Sequence, residues 1–105
     1  MYEILTFKRG DQQPFGTWLK GLRDIQARAR VRTRIDRLAL GNFGDCRALD
    51  GGVFELKVDW GPGYRVYFGK VGKTIVLLLC GGDKKTQQKD IELAKSYFKE
   101  YQNAQ

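Results

Sequence analysis

The chain has no histidine, one methionine, two prolines and two cysteines among its 105 residues. Each shortage excludes something. Without an imidazole, the paired-histidine route of many ribonucleases is closed, and so are serine–histidine and cysteine–histidine nucleophiles. Cys46 and Cys80 make no disulfide framework and lack metal-ligand spacing. A lone thiol with no histidine or second thiol beside it reads as structural. No cluster of carboxylates suits the magnesium ions of a two-metal nuclease, so neither metal nor cofactor is expected. The apolar run Ile75 to Cys80 falls far short of the ~18 residues that a membrane span needs, and the charged N-terminal stretch lacks the apolar segment of a secretory signal. These absences lead to the expectation of one cytoplasmic domain over residues 1–105, with reduced thiols and no membrane partner.

What the chain has in excess is positive charge: 19 lysines and arginines against 12 acids, a net +7. Such a surplus suits a polyanionic partner, although a basic surface without a partner has the same signature. The surplus is concentrated. Gln26 to Leu40 reads as a helix with Ala27, Val31, Ile35 and Leu38 on its apolar stripe, and Arg28, Arg30, Arg32, Arg34 and Arg37 crowd the other faces. That arginine face reads equally as a solvated face or as a nucleic-acid surface; a membrane-surface helix fits least, because so small a domain needs the stripe inside. An earlier helix runs from Pro14 to about Asp24, with Phe15, Trp18, Leu19, Leu22 and Ile25 at helical spacing and Asp11 placed to cap it.

The chain is organised around Val53 to Asp83. Phe54, Leu56 and Val58 alternate with Glu55, Lys57 and Asp59, the period of a half-buried strand. Gly61-Pro62-Gly63 supplies a turn. Tyr64, Val66 and Phe68 then alternate with Arg65 and Tyr67 up to Lys70, and the apolar run Thr74 to Cys80 suits a strand covered on both faces. Pairing across the first turn would bring Lys57, Arg65 and Tyr67 to one sheet face, a place to handle phosphate. Tyr2 to Lys8 reads as a first strand, Gly41 to Gly52 as a glycine-rich connection, and Thr86 as the cap of a last helix to about Tyr101, buried through Ile91, Ala94, Phe98 and Tyr101. The order is strand, two helices, three strands, helix. The fold class is α+β, with a helical hairpin on a four-stranded, mostly antiparallel sheet.

That order, together with LKVDWGPGYRVYF (Leu56 to Phe68) and LLLCGGDKKTQQKDIELAK (Leu77 to Lys95), resembles the RelE/ParE superfamily of bacterial toxins, and within it the HigB-like, Gp49-like branch of addiction-module killer proteins. The resemblance spans essentially the whole chain. It implies a RelE-like fold and a cognate antitoxin, here a small helix-turn-helix protein. RelE-like and HigB-like members cut messenger RNA, typically in the ribosomal A site; ParE-like members share the fold but poison DNA gyrase, so the fold alone leaves both open. A degenerate module that only binds its antitoxin or RNA is a third reading.

Metal-free RNA cleavage is chemically feasible because the 2′-hydroxyl is the nucleophile and leaves a 2′,3′-cyclic phosphate. By resemblance, Arg65 matches the arginine of a functional GYR segment and Lys57 matches a functional strand lysine. Arg65 suits a phosphate clamp, and Tyr67 can stack a base or pass a proton. Lys84 and Lys85 precede a helix N-terminus that attracts phosphate, and Gln87 and Gln88 can add hydrogen bonds to RNA. The candidate catalytic set is therefore Lys57, Arg65, Tyr67 and Lys84, with Lys85, Gln87, Gln88, Arg30, Arg34 and Arg37 as RNA-binding residues. The same strand cations also read as solvent-facing charges. Two positions depart from the RelE pattern. Glu55 replaces a second lysine, as a general base or as a salt-bridge partner of Lys57, and Thr86-Gln87-Gln88 offers no counterpart to a tyrosine of the last helix.

Overall fold

Strand alternation in the C-terminal half builds the sheet, in a computed structural model that describes residues 1–104. The elements run β1 (Glu3–Thr6), α1 (Pro14–Gly21), α2 (Ile25–Ala39), β2 (Cys46–Ala48), β3 (Val53–Val58), β4 (Tyr64–Val71), β5 (Ile75–Gly82) and α3 (Gln87–Asn103). The sheet order is β1-β5-β4-β3-β2. β1 lies parallel to β5, and every other pairing is antiparallel. The fold is α+β, with a mostly antiparallel open sheet, and is compatible with the RelE-like fold. The sheet has five strands rather than the expected four, because Cys46–Ala48 inside the glycine-rich connection pairs with Phe54–Leu56. Three residues are too few to show a period, and β3 supplies the edge that holds them.

Alternation sorts the side chains into two cores. Leu56, Val58, Val66, Phe68, Val76 and Leu78 pack against Phe15 and Leu19 of α1 and Val31 and Leu38 of α2. On the opposite face Val53, Tyr67, Leu77, Leu79 and Cys80 pack against Ala94 and Phe98 of α3. The sheet is thus covered on both sides. A register shift between Tyr67 and Phe68 leaves Leu79 without a partner on β4, so Leu79 and Cys80 both face α3 and the alternation resumes with opposite parity.

That shift explains the two glycines ending β5. A Cβ on Gly81 would overlap the indole of Trp18 in α1, and a Cβ on Gly82 would overlap the Asp90 carboxylate in α3. Each glycine lets one helix come down on the sheet from its own side.

Three helix expectations change. α1 stops at Gly21, and Asp24 begins α2 by accepting from the backbone N–H groups of Gln26 and Ala27. Ile25 consequently projects outward, 71% exposed, and is not part of the α1 core stripe. Asp11 caps nothing: it lies in a tight turn closed by backbone bonds between Arg9 and Gln12, and Gln13 stands at the start of α1 with no side-chain bond.

Candidate functional site

Three strands set the site. Lys57 of β3 lies directly across from Arg65 of β4, and Arg65 lies across from Gly82 of β5. At ordinary strand spacing this row spans about 10 Å. One step further into the sheet, Glu55, Tyr67 and Cys80 form a second row. The residues of both rows face α3, as the cross-strand pattern predicts for Lys57, Arg65 and Tyr67.

The exit from β5 closes the row at its far end. Asp83 Oδ1 accepts from the backbone N–H groups of Lys85 and Thr86 at 2.9 and 3.2 Å, an Asx turn that leaves Lys84 and Lys85 exposed. Thr86 stands at the N-cap position but does not cap α3; its hydroxyl donates to Asp90 instead. Asp90 is buried, and burial holds its carboxyl above the ordinary range against the opposing bond from Thr86.

Glu55 is the surprise of the site. It is 5% exposed and accepts from Arg47 Nε at 2.8 Å, Tyr67 Oη at 2.9 Å and Gln87 Nε2 at 2.9 Å. Burial pushes its carboxyl up, but these three donors outweigh burial and hold it below the ordinary carboxylate range. Lys57 is not its partner. The partner is Arg47, on the strand that the sequence pattern did not reveal.

Arg65 is buried rather than surface-borne, 7% exposed. Its Nη1 donates to the Gly63 carbonyl at 2.7 Å, and its Nε stands 3.8 Å from Glu55 Oε2, within ion-pair range but beyond a hydrogen bond.

Tyr67 must be reassigned. Its ring is fully buried, so it offers no face to a base. Burial drives its phenol far above the ordinary value, and the Glu55 carboxylate adds to the shift. The hydroxyl orients Glu55 and stays protonated. Gln87 likewise spends its amide on Glu55, whereas Gln88 is exposed.

The three α2 arginines separate too. Arg34 is structural, donating to the Lys57 carbonyl and, at 3.2 Å, to the Phe43 carbonyl. It fixes the β3 backbone at Lys57 to the helix on the other face. Arg30 stacks 3.8 Å over the Trp60 ring, whose Nε1 donates to Asp24 at 3.0 Å. Arg30, Thr33, Arg34, Arg37, Val58 and Asp59 line a shallow concavity of about 300 Å³ on the face opposite the Lys57 side chain. Arg30 and Arg37 are therefore not part of the Lys57–Arg65 row.

Residues 17–99 match the family described as phage-derived protein Gp49-like (DUF891). The chain belongs to the Gp49-like family. This is a toxin-like family of addiction modules, so the expected cognate antitoxin goes with it. An uncharacterized protein of Haemophilus influenzae is 51% identical over 81 residues, which are 77% of this chain and 82% of that relative. The matched span of the Gp49-like chain runs from α1 to the last turns of α3, and so includes both rows of the site and the Asp83 turn. No helix of the described residues is long and apolar enough to cross a membrane.

Proposed function

We propose that the chain is the toxin of a type II toxin–antitoxin module and acts in the cytoplasm as a metal-independent, ribosome-dependent messenger-RNA endonuclease. The observation that carries this reading is the register that sets exposed Lys57 opposite Arg65, with the Lys84–Lys85 turn at the end of the same row. One buried guanidinium between exposed ammonium groups suits an RNA phosphate held from several sides.

The division of labour follows from exposure. Arg65, anchored at Gly63 and beside Glu55, presents a fixed positive charge to the phosphate. Lys84 and Lys85 reach from solvent to the non-bridging oxygens, and the N-terminus of α3 adds its dipole. As the 2′-oxygen bonds to phosphorus, its proton passes to water. As the bond to the 5′-oxygen breaks, the Lys57 ammonium supplies the proton that oxygen needs. Glu55 is a poor general base in this arrangement because three donors hold it ionised. Arg30 and Arg37 lie on the other face and bind RNA beyond the cut site, where salt-sensitive backbone contacts need no precise geometry.

Controlled expression followed by mapping of RNA 5′ ends on translated transcripts tests the reading. New ends within coding regions are expected, and they should vanish when translation is blocked. The Lys57→Ala variant, altered at an exposed residue that leaves the fold intact, should lose cleavage by about 100-fold or more. Absence of new ends with translation unaffected refutes the endonuclease. An SOS response with stabilised DNA cleavage complexes would point instead to gyrase.

A further inference from the structure

The Glu55 carboxylate is over-subscribed. Its Oε2 accepts from Tyr67 Oη and Gln87 Nε2, each at 2.9 Å. Two bonds fill the lone pairs of one carboxylate oxygen. Arg65 Nε, 3.8 Å away, is left out. Among the described residues it is the buried side-chain nitrogen or oxygen that has no hydrogen-bond partner. A buried donor facing an acceptor that two others already occupy is an unusual thing to find in a folded protein.

The three groups around Oε2 differ in their freedom. Tyr67 is fully buried with its ring packed beneath α3 and cannot leave. Gln87 can: it is half-exposed, opens α3, and sits one turn beyond Lys84 and Lys85. Arg65 is held through Nη1 at Gly63, so a shift of about 1 Å would bring its Nε within hydrogen-bond range of Oε2.

Resting on the RNA-cleaving reading above, we propose that Glu55 is a positioning residue whose Oε2 passes from Gln87 to Arg65 when an RNA phosphate enters the site. In the free protein Gln87 holds the carboxylate, and Arg65, anchored at Gly63, keeps its Nε without a partner. An incoming phosphate draws the Gln87 amide outward as one more donor. Oε2 then accepts from Arg65 Nε, and the guanidinium is fixed with its remaining N–H groups toward the phosphate. Binding thus completes the clamp, a use of substrate affinity for alignment.

The Arg65 Nε–H signal in a proton–nitrogen spectrum reports this directly, and its absence in Arg65→Lys assigns it. Gln87→Met removes the competing donor while keeping chain length. In that variant the signal should move downfield and its exchange with solvent should slow by about tenfold, the protection expected of one new bond to a carboxylate. In Gln87→Met combined with Glu55→Gln the downfield shift should be lost. A 2′-O-methyl oligoribonucleotide, which the protein cannot cut, should produce the same downfield move in the unaltered chain. An unmoved signal in Gln87→Met overturns the sharing of Glu55. A shift in Gln87→Met with none when the oligonucleotide binds leaves the sharing intact and overturns its link to RNA, while the endonuclease reading stands or falls on the mapped 5′ ends. Binding of the oligonucleotide with the signal unmoved in both cases overturns the sharing alone.

Discussion

Replacing Tyr67 with phenylalanine removes one hydroxyl from a fully buried ring and changes little else. That hydroxyl donates at 2.9 Å to the ionised Glu55 carboxylate. A hydrogen bond to a charged group contributes about 1.5–3 kcal/mol net. Phenylalanine brings no unsatisfied group of its own, and Glu55 keeps Arg47 and Gln87, so the loss should be about 2 kcal/mol. For a chain of this length that lowers Tm by about 8 °C. The effect should depend on pH, with a definite sign. The folded Glu55 carboxyl lies below its ordinary value, because its donors outweigh its burial. Its contribution is therefore fully present above the unfolded-state value of about 4.3 and is lost as pH falls through the lower folded value. Removing the Tyr67 donor raises that folded value, so the variant begins to lose stability at a higher pH. Once Glu55 is protonated in both proteins, only a neutral hydrogen bond separates them, and the gap should narrow to about 1 kcal/mol. Urea denaturation at neutral pH and at a series of falling acid pH values, down to the lowest at which both proteins still fold, measures both quantities. A loss below about 0.5 kcal/mol at neutral pH, or a gap that does not narrow in acid, refutes the placement of an ionised Glu55 under Tyr67.

The glycines at the end of β5 make a second prediction: Gly82→Ala, whose Cβ would meet the Asp90 carboxylate and Thr86 hydroxyl, should lose about 1–3 kcal/mol of stability and lower Tm, whereas Gly21→Ala, with open space at the Cβ, should fold with unchanged or raised Tm. Lys70 makes the third. Its ammonium lies 4.4 Å from the Phe43 ring centre and 4.9 Å from that of Phe54, so Lys70→Met, which keeps the packing, should cost about 1 kcal/mol in urea denaturation, and a variant as stable as the parent would refute the cation–π contact.

β3 and β4 and their faces were legible because their residues alternate, and β5 was legible as an apolar run without faces. The sequence pattern brought Lys57, Arg65 and Tyr67 to one side of the sheet for that reason, and the register that sets Lys57 directly across from Arg65 comes from the structure. Tyr67's burial was not legible. Whether a residue on that face meets solvent depends on how far α3 reaches over it, and α3 stops short of Lys57 but covers Tyr67. β2 was missed because three residues carry no period, and with it went Arg47 and the role of Glu55. Asp83 left a readable trace: an aspartate three residues before a threonine at a helix start is an Asx-turn signal. Thr86, which also reads as a cap, masks it.

The departure at position 55 is best understood as a change of the whole set around it. By resemblance a lysine stands there in RelE-like toxins. In this chain the position is buried beside Arg47 and Arg65, and a lysine would put three cations together with no anion among them. Like charges at such distances in a poorly solvated place cost more than the fold can spare. Glutamate here thus matches two cations, the exposed Arg47 and the buried Arg65. The consequence for the proposed chemistry is a separation of two kinds of cation. Arg65 is a rigid fork whose setting depends on a buried anion, so its variants damage folding and function together. Lys57, Lys84 and Lys85 are flexible point charges in solvent, so their variants should leave folding untouched and expose the chemistry alone. A mutational survey that found cleavage lost only at Arg65 and Glu55, with the three lysines silent, would therefore report on the scaffold and would count against the site.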